Sequence, residues 1–453
     1  MAASSALADR IVQEHAASSA LLPSSVVSAE RRRAALEVLT SKGLPTSRDE
    51  NWRYANLRPL EKTTYRSVAP SGPPKVALSD LPPTIAGYAR YVFVDGAFAP
   101  GLSATSSPSG VTVTAGASSG ESTRDAASSR SGSTAASAGL KSTAFGIGGD
   151  ERFALLNDAF ATDAALVHAP KGAECTACVE ILFVATESAQ TAASYPRLEI
   201  EVDANARVGL IERHISSGND ANFVNAAVQV NIAAGAQVDH YRLQQAGARA
   251  TWIDTLTAKV DKDARYTIHF VALGGQSTRS TSRVQLIGER AETAFHGVSL
   301  ADGQQVQDCY ALVEHIAPNT KSEHSVRGIA AGRSRVAFNS KVVVRERAKG
   351  TDSKQSLRGL LAGPQAEIDV RPQLEIYTDD VRCNHGATAG KLDDNMLFYM
   401  LSRGIEREVA QQLLKWAFLE DVVSRIAVPE LRKHIEQSLA GQLKETAALK
   451  ELI

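Results

Sequence analysis

Residues 198–239 read LEIEVDANARVGLIERHISSGNDANFVNAAVQVNIAAGAQVD. Apolar and polar residues alternate in LEIEVD and AVQVNIA, and small or turn-forming residues separate the runs. Alternation with period two sends successive side chains to opposite faces, so these are strands with one buried face. The same texture continues through YTIHFVAL, VAFNSKVVV and AEIDVRPQLEIY, from about residue 178 to 380. The turns recur as well. DANARV starts at 203, AAGAQV at 233, DKDARY at 261 and GERAET at 288, in steps of 30, 28 and 27 residues. AAGRSRV at 330 and AGPQAEI at 362 stand 32 apart, after one longer interval. A short, nearly constant period signals stacked repeats. With strands as the repeating unit and no helices between them, the expected body is a parallel β-helix rather than a β-sandwich, which would not require so regular a turn period.

The flanks read differently. Ser28 is placed to cap a helix carrying Glu30, Leu36 and Leu39, with Gly43 and Pro45 as stop signals. In PTSRDENWRYANLRPL (45–60), Trp52, Tyr54 and Leu57 could anchor a short segment against a larger body. YVFVDGAF (91–98) reads as a strand entering a turn, and the stretch around Phe153, Leu156 and Phe160 as a helix. Ser, Ala, Thr and Gly fill 30 of the 37 positions in 103–139, too little apolar surface to offset ordering entropy, so disorder is expected there. Beyond 390, Asp393 or Asp394 can cap a helix through Met396–Leu401. A second carries Ile405, Val409, Leu413, Trp416 and Val423, and Pro429 opens a third. The expected divisions are a helical region (1–90), a strand segment (91–102), a disordered insertion (103–143), the β-helix (144–390) and a C-terminal helical domain (391–453).

At 453 residues the chain is too long for one ordinary core. Its 49 basic and 50 acidic residues give no global attraction to nucleic acid or anionic membrane. No apolar run approaches the roughly 18 residues of a membrane span. Asp9, Arg10 and Glu14 interrupt any signal-peptide core, and four cysteines are too few for a disulfide scaffold, so a cytoplasmic protein is expected.

Neither a phosphate loop nor a G-x-G-x-x-G turn occurs, so ATP is not expected on this chain. Cys175 and Cys178 form a C-x-x-C without a second pair or nearby histidines, and two partly buried thiols are the expected state. His296, His315 and His324 lie in the repeats. Two Glu-His pairs in EHIAPNTKSEH (314–324) could ligate a metal, but exposed turn residues are the stronger reading. The densest cluster is TDDVRCNHGATAGKLDD (378–394). On a strand, Cys383 and His385 point to the same face. A thiolate and an imidazole suit iron–sulfur chemistry, with Asp379, Asp380, Asp393 and Asp394 around them. Two ligands do not close a site, so a metal there would be shared with another chain or held transiently.

Several stretches together carry a resemblance: SRDENWRYANLRPL, VFVDGAF, LLNDAFATDAAL, the run from Asn339 to Asp394, and LFYMLSRGIEREVAQQLLKWAF. The chain resembles the SufB/SufD family of the Suf iron–sulfur cluster assembly system, over about residues 45–427. SufB sequences typically carry C-E-H-E-A-T where this chain has Cys383-Asn384-His385-Gly386-Ala387-Thr388. The His-Gly-Ala-Thr form, with the short N-terminal region, resembles the SufD branch.

The resemblance implies a right-handed parallel β-helix between helical domains, and a non-ATPase scaffold subunit. It implies a SufB-like paralogue and two copies of a SufC-like ATPase as partners, with a homodimer left open when the paralogue is absent. It implies that the C-terminal helices dock the ATPase, making Ile405, Val409, Leu413 and Trp416 candidate contacts. It maps the family's interface histidine onto His385, with Cys383 beside it. A transient cluster or iron would be met there, shared with the paralogue, and a reduced flavin is an option only at the level of the complex. Two other readings stand. A β-helix acting on polysaccharide would use carboxylates such as Asp379 and Asp380 with Arg382. A purely structural subunit would use His385 only as an interface residue.

Overall fold

The computed structural model describes residues 2–67, 75–105, 110–116, 151–187 and 191–443. Its body is a parallel β-solenoid of about 8 turns, with helices at both ends of the chain. The N-terminal part contributes β1 (Arg66–Ser67), β2 (Ala89–Val94), β3 (Ala97–Phe98), β4 (Thr112–Ala115), β5 (Ala165–Ala169), β6 (Glu174–Ala185) and β7 (Ala192–Ser194). Two sheets then rise in step. One holds β8 (Arg197–Val202), β10 (Phe223–Ile232), β12 (Thr251–Val260), β14 (Ser277–Leu286), β16 (Val306–His315), β18 (Arg335–Val344) and β20 (Glu367–Ile376). The other holds β9 (Arg207–Ser216), β11 (Gln237–Ala246), β13 (Arg265–Gly274), β15 (Glu292–Ala301), β17 (Lys321–Ala330), β19 (Thr351–Leu361) and β21 (Val381–Gly390).

The stacking explains the recurring turns. Asn205, Gly235, Asp263, Arg290, Asn319 and Gly350 sit one per turn at the same corner, each with φ between 58° and 73°. Each backbone N–H donates to a carbonyl one turn further on: Asn205 to Ala234, Gly235 to Lys262, Asp263 to Glu289, Arg290 to Pro318, Asn319 to Lys349 and Gly350 to Asp380. A left-handed residue is needed at every level, and Gly, Asn and Asp supply it at least cost, with Arg290 the exception. The repeat read from sequence is corrected in one respect. AAGRSRV and AGPQAEI lie at the opposite corner, between β17 and β18 and between β19 and β20. The first column continues instead through Asn319 and Gly350, with no long interval.

Inside the solenoid the alternating positions form one apolar column that includes Val228, Trp252, Leu256, Tyr266, Phe270, Phe295, Phe338 and Leu357. A buried ionic group interrupts it: Glu212 takes two hydrogen bonds from Arg242 at 2.8 Å, and Arg242 also reaches Asp254 at 2.6 Å. At the N-terminal end, β3 runs antiparallel to β2 and β4 antiparallel to β5. Thr112–Ala115 therefore form a strand inside the stretch expected to be disordered; residues 106–109 and 117–143 of it lie outside the described residues.

Helix α1 (Ala2–Ser18), α2 (Ala29–Lys42), α3 (Arg58–Lys62) and α4 (Arg152–Phe160) form a cluster that packs on Tyr195 and on Ala193, Phe223 and Ile253 of the first sheet. The Ser28 hydroxyl caps α2 by accepting from Arg31 N–H, and Gly43 ends it, as the sequence indicates. Trp52 is fully buried beside Phe153, and Tyr54 lies under Arg335. The C-terminal helices α5 (Asp394–Ser402), α6 (Arg407–Val423) and α7 (Pro429–Gln442) follow β21. Helices α6 and α7 bury Trp416, Leu419, Val423, Leu431 and Ile435 against Tyr241, Val271, Val298 and Ile329 on the outer face of the second sheet.

The thiols expected at 175 and 178 are corrected. Cys175 and Cys178 are joined in a disulfide, both buried. A bulge shifts the β6 register between Cys175 and Val179, and the Cα atoms of Cys175 and Cys178 are 5.3 Å apart, within bridging range.

Candidate functional site at the open end of the solenoid

The two ends of the solenoid are unlike. The first is closed by antiparallel strands. At the other, β20 pairs only with β18 and β21 only with β19 among the described residues, so the outer edges of both are bare. The interior face of this last turn is consequently uncovered. Val370 and Leu374 on β20 and Val381 and Cys383 on β21 pack downward on the core but are only partly buried.

Cys383 and His385 both lie on that interior face. Their register partners one turn below are Ser353 and Gln355, which are buried. The same-face placement read from the i, i+2 spacing therefore holds. His385 is exposed and Cys383 half-buried. Burial raises the Cys383 thiol pKa, and the carboxylate of Asp352 adds to this, while the backbone of Ser353 works against it. A raised pKa keeps the sulfur protonated until a cation or a partner displaces the proton.

The surrounding carboxylates do not converge. Asp393 is the N-cap of α5, accepting from Asn395 N–H at 2.7 Å and Met396 N–H at 3.3 Å. Asp379 and Asp380 are exposed before β21. Among the described residues no three His, Cys, Asp or Glu side chains come together to hold a metal ion. Cys383 and His385 offer two donors, half of a tetrahedral shell.

The other histidines are not exposed turn residues. His296, His315 and His324 are all buried. Strand alternation separates the Glu-His neighbours: Glu314 faces out to Arg283 and Arg345, while His315 faces in to Thr320 and Ser322. Likewise Glu323 meets Arg425 of the C-terminal helices, and His324 meets Ser340 inside. Desolvation lowers His315 to about 3 and His324 to about 4, so both are neutral.

The stripe read on the second C-terminal helix is divided. Trp416 belongs to the core, and Ile405, Val409 and Leu413 are half-buried. The exposed apolar residues lie one helix earlier: Met396, Phe398 and Tyr399 on α5, at 57%, 72% and 60% exposure. The signal was present in LFYM, where only Leu397 is buried, but nine residues are too few for periodicity to separate the two faces.

The fold and site together are a parallel β-solenoid with a Cys-x-His pair on the uncovered interior face of its last turn. Family comparison gives the class its name. The model of the SUF system FeS cluster assembly SufBD core domain matches residues 183–418, and that of the SufBD protein N-terminal region matches 16–181. The chain belongs to the SufBD family, whose members are iron–sulfur cluster assembly proteins. It is 28% identical to the iron–sulfur cluster assembly protein SufD of Escherichia coli, over 90% of this chain and 91% of that one. A SufBD family protein of Synechocystis is 27% identical, over 90% of each chain. The chloroplastic protein ABCI7 of Arabidopsis thaliana is 24% identical, over 64% of this chain and 63% of its own. No described helix is long and apolar enough to cross a membrane.

Proposed function

We propose that this chain is the SufD-type, non-ATPase subunit of a cytoplasmic complex with a SufB-like paralogue and two copies of a SufC-like ATPase, and that it assists de novo iron–sulfur cluster assembly at its last solenoid turn. The observation that carries this reading is the bare edge pair β20 and β21 with Cys383 and His385 on its uncovered interior face. A bare sheet edge is a template for an added strand, and the SufB-like paralogue is the cover proposed for it. Iron or nascent cluster, as the cargo of the reaction, would find two donors here and the remainder on the paralogue. His385 ranks first, since it is exposed; Cys383 ranks second, being half-buried with its thiol pKa raised by burial. A reduced flavin is assigned no residue of this chain.

The ATPase reading attaches to the C-terminal helices. Met396, Phe398 and Tyr399 offer the apolar surface, with Ile405, Val409 and Leu413 at its margin. Nucleotide-driven closure of two ATPase copies would move these helices and loosen the solenoid interface, a bistable contact biased by nucleotide affinity. Helices α6 and α7 are latched to the second sheet at Arg213–His434 and Arg425–Glu323, both 2.7 Å, so motion there reaches the solenoid directly.

The test is affinity purification of the tagged chain from its own cells, with mass spectrometry of what accompanies it. Recovery of both a SufB-like protein and an ATPase is expected. Recovery of the chain alone after gentle lysis would leave the scaffold reading without partners. With the complex in hand, His385→Ala should preserve assembly and lower cluster yield.

A further inference from the structure

The floor beneath the candidate pair is itself polar. In a parallel solenoid, residues in register on successive turns stack on one another. Two such columns end at the last turn. The first runs Ser322, Ser353, Cys383 and the second His324, Gln355, His385.

The first column is hydrogen-bonded throughout its buried part. Ser353 Oγ and Ser322 Oγ are 2.8 Å apart, Ser322 Oγ and His315 Nε2 are 2.9 Å apart, and His315 Nδ1 lies 2.7 Å from Thr320 Oγ. Ser353 is thereby fixed. The second column is incomplete. Gln355 is 4% exposed, and its Nε2 donates to the Gln373 carbonyl at 3.2 Å. That bond sets the plane of the amide, yet its Oε1 is buried with no partner among the described residues. Below it, His324 is held at Nδ1 by Ser340, and its Nε2 is also without a partner among the described residues. A clamped amide with a buried, unused acceptor is costly to keep unless something comes to meet it.

His385 is the residue in register above that oxygen, and none of its hydrogen bonds is made within the described residues. A neutral imidazole carries one N–H and one lone pair. We propose that Gln355 is the positioning residue of His385. Its Oε1 accepts the ring N–H when a partner covers the last turn, and so aims the lone pair of the other ring nitrogen toward the incoming cargo. This rests on the reading of the last turn as the assembly site. It adds that His385 works only in one orientation, fixed from below through a residue that touches neither cargo nor partner. Outer-sphere partners of this kind typically change affinity or activity 10–100-fold when removed.

The experiment uses the full chain with ring-labelled histidine, alone and with its co-purified paralogue, in wild type, Gln355→Met and Gln355→Glu. Methionine keeps the length with only a weak thioether acceptor, and glutamate keeps a strong acceptor while giving up the donor to the Gln373 carbonyl, so the pair isolates the acceptor from the clamp. In the complex, the His385 ring signals, assigned by their loss in His385→Ala, should show one ordered ring in wild type and Gln355→Glu. They should move toward a freely rotating imidazole in Gln355→Met, and cluster yield should fall about tenfold. Where Gln355→Met does not fold, Gln355→Asn, with the amide one methylene too short, serves in its place. Unchanged ring signals and yield in the variant used overturn the proposal. Normal cluster formation in His385→Ala overturns the assembly reading instead, and the ring signals still decide whether Gln355 orients the histidine.

Discussion

The Arg279 guanidinium lies 4.5 Å over the ring of Trp52, with Tyr310 at 5.4 Å. Arg279 also pairs with buried Asp308. A single arginine thus fastens the N-terminal segment to the outer face of the first sheet and neutralises a carboxylate there. Trp52→Ala removes the buried ring and should destabilise the chain by about 3–5 kcal/mol, read as a lower urea midpoint. Arg279→Met should cost a similar amount, about 3–5 kcal/mol, because the buried Asp308 carboxyl loses its ion-pair partner. Because both changes break the same contact, their costs should add to less than the sum.

Phe398→Asp tests the α5 patch. At 72% exposure the side chain supports little of the fold, so stability should change by less than about 0.5 kcal/mol. The same substitution should abolish recovery of the ATPase in affinity purification while leaving the SufB-like partner bound. Retention of the ATPase would move its docking surface elsewhere.

Stability should fall in acid. Burial lowers His269 to about 3 and His296 to about 4, and His434 to about 4. His296 is faced by His269, Arg425, Arg265 and the carboxylate of Glu323, which opposes the shift. Each histidine is neutral when folded and takes a proton when unfolded below its ordinary value near 6.5. The unfolded state therefore binds more protons between pH 6.5 and about 4, and stability drops across that window by up to about 1.4 kcal/mol per pH unit per histidine. Above pH 7 these groups contribute no slope. Urea melts at pH 7 and 5 should show the loss, and His296→Gln should reduce it.

Thiol counting checks the bridge in β6. Denatured without reductant, the chain should expose two reactive thiols, Cys309 and Cys383, and four once reduced. In the folded state Cys383 should react first, though slowly because its own thiol pKa is raised, since Cys309 is buried and its thiol is pushed up to about 12.

How far the sequence could be read follows from what each residue answers to. The left-handed corner imposes one backbone requirement at every level, so DANAR, AAGAQ and DKDAR stand out as a repeat. AAGRSRV misleads because the opposite corner also uses glycine. Ser28, Asp393 and Pro429 act locally, and all three helix starts were legible. His315 and His324 were not, because their burial depends on which phase of each strand faces inward, and EHIAPNTKSEH spans a turn that resets the phase. The Cys175–Cys178 bridge depends on a bulge with no sequence marker. The same-face relation of Cys383 and His385 needed only period two. What the sequence could not supply was the amide beneath His385, since Gln355 lies 30 residues earlier and meets it only through the register of β19 with β21.

The bare edges of β20 and β21 also bear on how the chain is made. Ten-residue strands whose outer edges are unpaired among the described residues are templates for indiscriminate pairing. A cell producing this chain in excess over whatever covers that end accumulates molecules able to recruit one another. Selection should therefore act on dosage, keeping its synthesis in step with that of its partner.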